Sequence, residues 1–149
     1  MSLSVNIMTA LKEAMKSKDT VALTALRAVK SAILLAQTES GAKEELTEDK
    51  EIKILQKQVK QRKDSAAIFL EQNRKDLAQP ELAEAKVIEQ FLPEAMSEDE
   101  VAKLVEDAIS KTGAQGMKDM GKVMGMVNKA VAGRADGKTI SNIVKSKLA

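Results

Sequence analysis

The placement of glycine and proline constrains this sequence more than any other feature. Its 149 residues contain two prolines and seven glycines, and six of the glycines follow Thr112. The stretch before Thr112 is rich in alanine, leucine, lysine, glutamate and glutamine, which are good helix formers. It contains no run of alternating β-branched residues of the kind that predicts strands. The sequence therefore predicts an all-α protein.

Capping residues and apolar spacing predict seven helices. Asp19, Thr47, Ser97 and Asp136 are good N-caps, and Ser97 forms a capping box with Glu100. Residues 39–46 contain Gly41 and are predicted to be a loop. The predicted helices cover about residues 4–16, 20–38, 48–73, 82–92, 98–111, 117–132 and 137–148.

The same spacing predicts the core and the domain organisation. Pro93 disfavours helical geometry at Leu92, so we expect a four-helix bundle at residues 1–92 and a three-helix bundle at residues 93–149. The residues predicted to face the core are Leu3, Ile7, Leu11 and Met15 in the first helix, Ala22, Leu26, Val29, Ile33 and Ala36 in the second, Ile52, Leu55, Val59, Ala66 and Phe69 in the third, Leu82, Ala85, Ile88 and Leu92 in the fourth, and Met120, Val123, Met124, Val127 and Val131 in the sixth.

Four residue types are missing from the sequence, and their absence excludes several kinds of chemistry. There is no Cys, His, Trp or Tyr, so Ser-His-Asp catalysis, Cys/His zinc sites and His-ligated haem are impossible. Only two phenylalanines remain, which argues against base-stacking platforms for RNA. No carboxylates have metal-like spacing, and we expect no catalytic residue, metal or cofactor. With no Cys and no long uncharged run, we expect a cytoplasmic protein without a membrane span.

The predicted third helix carries basic residues in two settings. Its secondary basic face consists of Lys57, Lys60, Arg62 and Lys63. Arg62 falls within the apolar stripe, so it either pairs with a carboxylate of a neighbouring helix or holds its guanidinium for phosphate recognition. We favour the structural alternative for Arg62. For the lysines we likewise favour a solvated face over a phosphate track.

The predicted sixth helix gives the sharper signal. Lys118, Lys122 and Lys129, here named the lysine face, lie within about 40° of each other, opposite the apolar residues. Gly121 and Gly125, here named the glycine strip, flank them and allow another backbone to approach closely. Tight helix–helix contact is one explanation and is slightly favoured. The other is a phosphate backbone lying on the strip between lysines.

A tight turn follows at residues 133–137. Gly133 suits a left-handed position after the sixth helix, and the turn presents Arg134, with Lys138 at the start of the next helix. The turn has no GxGxxG or Walker pattern, so it predicts no nucleotide site. Residues 110–149 carry eight basic and two acidic side chains, which concentrates positive charge in the last three helices.

These stretches together resemble the YqeY proteins over nearly the whole chain. The motifs that carry the resemblance are Lys60-Gln61-Arg62-Lys63-Asp64-Ser65, Asn73-Arg74-Lys75-Asp76-Leu77, Phe91-Leu92-Pro93, Ser97-Glu98-Asp99-Glu100, Asp119-Met120-Gly121-Lys122-Val123-Met124-Gly125 and Gly133-Arg134-Ala135-Asp136-Gly137. That family is similar to the C-terminal tail of the B subunit (GatB) of tRNA-dependent amidotransferases, which use glutamine as amide donor.

The resemblance implies two helical bundles and a tRNA-facing surface on the last one, at Lys118, Lys122, Arg134 and Lys138. The catalytic part of the B subunit precedes its tail and has no counterpart here. We therefore expect a tRNA-binding or tRNA-enzyme accessory module that is not catalytic alone. The alternatives are a subunit of a glutamine-dependent carbon–nitrogen ligase, or a protein-interaction module that docks a partner helix on the glycine strip.

Overall fold

The computed structural model describes residues 2–39, 41 and 46–149, and within them all regular structure is helical. The all-α prediction is confirmed. Most of the predicted 39–46 loop lies outside the described residues, although Glu39 ends a helix and Gly41 has a left-handed φ of 64°. The helices are α1 (Leu3–Ser17), α2 (Thr20–Glu39), α3 (Glu48–Glu71), α4 (Lys75–Glu89), α5 (Glu98–Thr112), α6 (Met120–Val131) and α7 (Gly137–Leu148), with a 3₁₀ turn at Met117–Asp119 before α6.

The helices begin at the predicted capping residues. Asp19 accepts a hydrogen bond from the backbone N–H of Ala22, and Thr47 caps α3. Ser97 and Glu100 form the full capping box of α5, with each side chain accepting from the other's backbone N–H. Asp136 accepts from the backbone N–H of Thr139 at 2.6 Å and so caps α7. Local sequence therefore fixes where these four helices start.

The chain divides into two compact units, Met1–Leu92 and Pro93–Ala149, and each has its own apolar core. The first core joins α1, α2, α3 and α4, and the second joins α5, α6 and α7. Side chains fully buried in the first unit include Ile7, Leu26, Leu55 and Ile88, and those in the second include Val101, Val105, Val123, Val127, Val131, Ile140 and Val144.

Two predicted core residues are in fact exposed. Met15 is 57% exposed because a four-residue repeat turns 40° per step, and the buried stripe of α1 instead continues through Ala14. Leu82 is 42% exposed because the buried stripe of α4 passes through Ala78, Ala85 and Ile88, and Leu82 lies beyond its edge. The helix starts at Lys75, well before the predicted start, and therefore contains Pro80 in its sixth position.

α2 is the one described helix that is long and apolar enough, by length and composition, to cross a membrane. Its 18-residue window has a mean hydropathy of 1.3. Ala25 and Val29 on the same helix are fully buried in the first core, and the core helix of a bundle meets the same length and composition test.

Candidate nucleic-acid interface

The lysine face lies on the outer side of α6 and of the 3₁₀ turn before it. Val123, Val127 and Val131 are buried on the opposite side, which turns the three lysines toward solvent. Lys118, Lys122 and Lys129 are all exposed. In the part of the chain that the structure describes, none of the three forms an ion pair. Their charges are therefore available to an anionic partner.

The glycine strip is open. A Cβ atom built at Gly121 or at Gly125 would meet no heavy atom within 4 Å among the described residues, and both glycines are exposed. Tight packing against another helix of the same unit, which the sequence slightly favoured, is therefore not the reason for these glycines. The strip instead leaves a shallow place on α6, beside the lysines, where an external group can reach the helix backbone.

One methionine beside the lysine face was not predicted from the sequence. Met126 is 39% exposed. At 100° per residue, Met126 lies about 40° from Lys122 on the helix surface. This angle could have predicted from the sequence that Met126 lies beside the lysine face. The surface around the lysine face thus combines positive charge with one flexible apolar side chain.

The turn after α6 places its two basic residues in different roles. The Arg134 side chain is half-buried, and its Nε donates a hydrogen bond to the carbonyl oxygen of Glu94 at 2.8 Å. The Arg134 carbonyl in turn accepts from the backbone N–H of Met96 at 2.8 Å. Arg134 therefore fastens the segment before α5 to the α6–α7 turn. Lys138 is exposed in the first turn of α7.

The secondary basic face is largely neutralised. Arg62 is almost buried and donates from Nε to Glu84 at 3.0 Å and from Nη1 to the Gln58 side chain at 2.8 Å. Lys60 pairs with Asp64, and Lys63 pairs with Glu89. Among the four members, Lys57 is the one with no ion pair in the described residues. The structural alternative for Arg62 matches this geometry.

Besides Arg134, a second cation of the second unit, Lys147, is engaged within the protein. Lys147 on α7 donates a hydrogen bond to Glu106 on α5 at 2.7 Å and lowers the pKa of that carboxyl below its ordinary value. The contact cannot be predicted from local sequence, because the two residues are 41 positions apart. Within the described residues, Lys147 is therefore held by the protein, unlike the three members of the lysine face and Lys138.

Comparison with known proteins identifies the family. The sequence matches the family described as Yqey-like protein over residues 4–148. The chain belongs to the YqeY-like family. The resemblance seen in the sequence motifs is confirmed, including its link to tRNA-dependent amidotransferases. The E subunit of the Glutamyl-tRNA(Gln) amidotransferase from Thermococcus gammatolerans is 35% identical over 79 residues, which are 50% of this chain and 13% of the relative.

Several further relatives share the name "Altered inheritance of mitochondria protein 41, mitochondrial". The protein from Pyrenophora tritici-repentis is 33% identical over 127 residues, which cover 84% of this chain and 68% of the relative. The protein from Meyerozyma guilliermondii is 37% identical over 124 residues, covering 81% and 64%. The YqeY-like chain spans between about half and two thirds of the length of these mitochondrial relatives.

These names correct the predicted localisation. The cytoplasmic assignment is wrong, because four matching relatives are named as mitochondrial proteins. The prediction depended on the absence of cysteine and of a long uncharged run, and neither property encodes a compartment.

Proposed function

We propose that this YqeY-like protein binds tRNA as an accessory module, through the lysine face of α6 with Lys138 and Arg134 at its edge. The observation that carries the proposal is the exposed lysine face, which has no ion pair among the described residues, beside the open glycine strip. Lysines of this kind bind phosphates by releasing counterions from the nucleic acid, which gives affinity without sequence preference. The chain is similar to part of a protein named as a subunit of Glutamyl-tRNA(Gln) amidotransferase, and this similarity supports tRNA as the ligand.

The direct test is binding of labelled tRNA to the full chain at about 50 and about 200 mM salt. For each lysine–phosphate contact in the complex, the affinity falls about threefold when the salt concentration rises over this range. We expect binding that weakens steeply with salt in the unmodified protein. The variant K118A/K122A/K129A should bind tRNA more weakly at about 50 mM salt. The slope of its log affinity against log salt concentration should be smaller by about three, which is about one for each phosphate contact removed.

The secondary basic face supplies a matched control. The variant K57A/K60A/K63A removes the same number of charges, but Lys60 and Lys63 are already paired with carboxylates of the protein. We expect it to retain most of the affinity for tRNA. An equal loss in both triple variants would show that only overall charge matters, and would contradict the assignment of the site to α6.

A second candidate function is a contribution to the amidation of Glu-tRNA(Gln) within a larger complex, which the amidotransferase similarity favours. It is tested by supplying the chain alone with glutamine, ATP and Glu-tRNA(Gln) and measuring formation of Gln-tRNA. Product formed by the chain alone would overturn the accessory role. Retention of a protein partner after nuclease treatment at high salt would instead favour docking of a protein on the glycine strip.

A further inference from the structure

The second unit lacks the side chains that hold unpaired bases. Residues 93–149 contain no aromatic side chain, and Arg134 is their only arginine. The Arg134 side chain is half-buried, and its Nε is bonded to the carbonyl oxygen of Glu94. Proteins that read single-stranded RNA stack its splayed bases on aromatic rings or on arginine planes. An interface without either stacking surface favours paired RNA as the ligand of α6.

The outer face of α6 is divided lengthwise into a cationic side and a neutral side. The cationic side is the lysine face, whose members lie within about 40° of each other at 100° per residue. The neutral side consists of Gly121, Gly125 and Asn128, with Asn128 about 20° from Gly121 around the helix axis. The α6 segment itself contains no Asp or Glu. One side of this face can therefore contact phosphates while the other contacts uncharged parts of the same nucleic acid.

Asn128 is the polar side chain of the neutral side. It is exposed, and its carboxamide has no hydrogen-bond partner among the described residues. A carboxamide both donates and accepts hydrogen bonds, and so does a ribose 2′-hydroxyl. Asn128 can therefore bond a 2′-hydroxyl whichever way that hydroxyl is turned. DNA has no such group to offer it.

The two glycines allow a ribose to come close to Asn128. Asn128 follows Gly125 by three residues, which is a rise of about 5 Å along the helix. Beside it, the surface has no protruding side chain at Gly121 or Gly125, and both positions are open. The minor groove of an A-form RNA helix is wide and shallow and displays the 2′-hydroxyls. A flat side next to a line of lysines fits such a groove and the phosphates along its edge.

We propose that α6 binds paired stems of RNA across their minor groove and recognises them by shape and by their 2′-hydroxyls. The lysine face contacts the phosphates of one strand, and Asn128 with the glycine strip contacts the riboses. This inference rests on the proposed function, because it names the part of tRNA that the same surface binds. It adds a preference for RNA duplex over both DNA duplex and unpaired RNA.

The test is direct binding of labelled probes to the full chain at about 50 mM salt, with tRNA as the reference. The probes are a short blunt RNA duplex of mixed sequence, the matching DNA duplex and one strand of the RNA alone. We expect the RNA duplex to bind most tightly of the three, because it alone combines paired strands with 2′-hydroxyls in a shallow groove. Asn128→Ala should weaken its binding about fivefold, as expected for one lost hydrogen bond, and should leave the DNA duplex unaffected.

Matched variants separate this recognition from general charge effects. Asn142→Ala removes an exposed asparagine of α7 and should leave the binding of every probe unchanged. K118A/K122A/K129A should weaken RNA and DNA duplexes alike, because phosphate contacts do not distinguish them. G121A/G125A should reduce the preference for RNA duplex over DNA duplex.

The outcomes distinguish this inference from the function on which it rests. Binding of tRNA together with equal affinity for RNA and DNA duplexes would overturn the inference alone. Tighter binding of the single strand than of the RNA duplex, or equal losses in N128A and N142A, would do the same. Absence of tRNA binding at low salt would overturn the proposed function, and the inference with it.

Discussion

Arg62 and Lys60 lie two residues apart on α3 and carry the same charge, but their surroundings differ. The Arg62 side chain is 11% exposed and its partner Glu84 is 18% exposed, whereas Lys60 and Asp64 are 72% and 60% exposed. Water screens the second pair and hardly screens the first. The sequence could show that Arg62 falls in an apolar stripe. It could not show the partner, because Glu84 is 22 residues away on another helix.

This difference predicts unequal effects on stability. Glu84→Ala leaves the guanidinium of Arg62 without its carboxylate and should lower the free energy of unfolding by about 2 kcal/mol. Asp64→Ala removes an exposed partner and should change it by less than about 0.5 kcal/mol. Urea unfolding followed by circular dichroism measures both. Equal effects of the two substitutions would contradict the structural role given to the Arg62–Glu84 pair.

A second prediction at the residue scale concerns Glu106. Because the hydrogen bond from Lys147 lowers its pKa, the stabilisation from this pair is present at neutral pH and is lost as the pH falls through that lowered value. Carboxyl NMR titration should find the Glu106 midpoint below that of ordinary glutamates. Lys147→Ala should raise the midpoint toward the ordinary value, while Lys145→Ala should leave it in place.

At the scale of the element, α6 combines a well-packed face with an outer face that is poor for helix stability. Val123, Val127 and Val131 are buried on one side, and two glycines lie exposed on the other. Glycine in a helix interior costs stability relative to alanine, and no neighbouring group among the described residues requires the small residue at either position. The two glycines therefore lower the stability of α6, and no contact within the second unit explains why they are there.

Replacing both glycines separates stability from binding. The variant G121A/G125A should raise the free energy of unfolding by about 1 kcal/mol, mostly through Gly125, because Gly121 lies in the first turn of α6 and both alanines meet open space. Under the proposed function, the added methyl groups keep the phosphate backbone away from α6, and tRNA affinity should fall several-fold. Greater stability with unchanged tRNA affinity would show that no ligand approaches the strip.

The elements themselves were largely predictable, because caps and apolar spacing are local properties. Ser97 with Glu100 begins α5 and Asp136 begins α7, as expected. The errors arise where three-dimensional context decides: Met15 is exposed because the α1 stripe follows a 3.6-residue period, and Leu82 because α4 packs through its alanines. The sequence could not show whether the glycine strip is packed or open, because that depends on where residues distant in the sequence lie in the folded chain.

At the scale of the whole molecule, we propose that the two compact units are separate folding domains. Each has its own apolar core, and the second is built by α5, α6 and α7 within residues 93–149. A core of that size is enough for independent folding, although with a small margin of stability. The lysine face and the glycine strip both belong to this smaller unit.

A fragment of residues 93–149 should accordingly be helical and unfold in one cooperative thermal transition. A fragment of residues 97–149 starts at the capping box but lacks the Glu94 carbonyl and the Met96 N–H that bond to Arg134. We expect its melting temperature to be lower by about 8–16 °C, given about 1 kcal/mol for each of the two lost hydrogen bonds and about 4–8 °C per kcal/mol in a domain of this size. Circular dichroism melting curves compare the two, and equal stability would contradict the role of Arg134.

The same two hydrogen bonds have a consequence for proteolysis. Segments between compact units are the usual places where proteases cut, because their backbone is free to extend into the enzyme's cleft. Here the backbone of residues 94–96 is held at both ends by Arg134, so it must detach from the α6–α7 turn before it can be cleaved. The Met96 amide should exchange slowly with deuterium for the same reason, although no helix contains it.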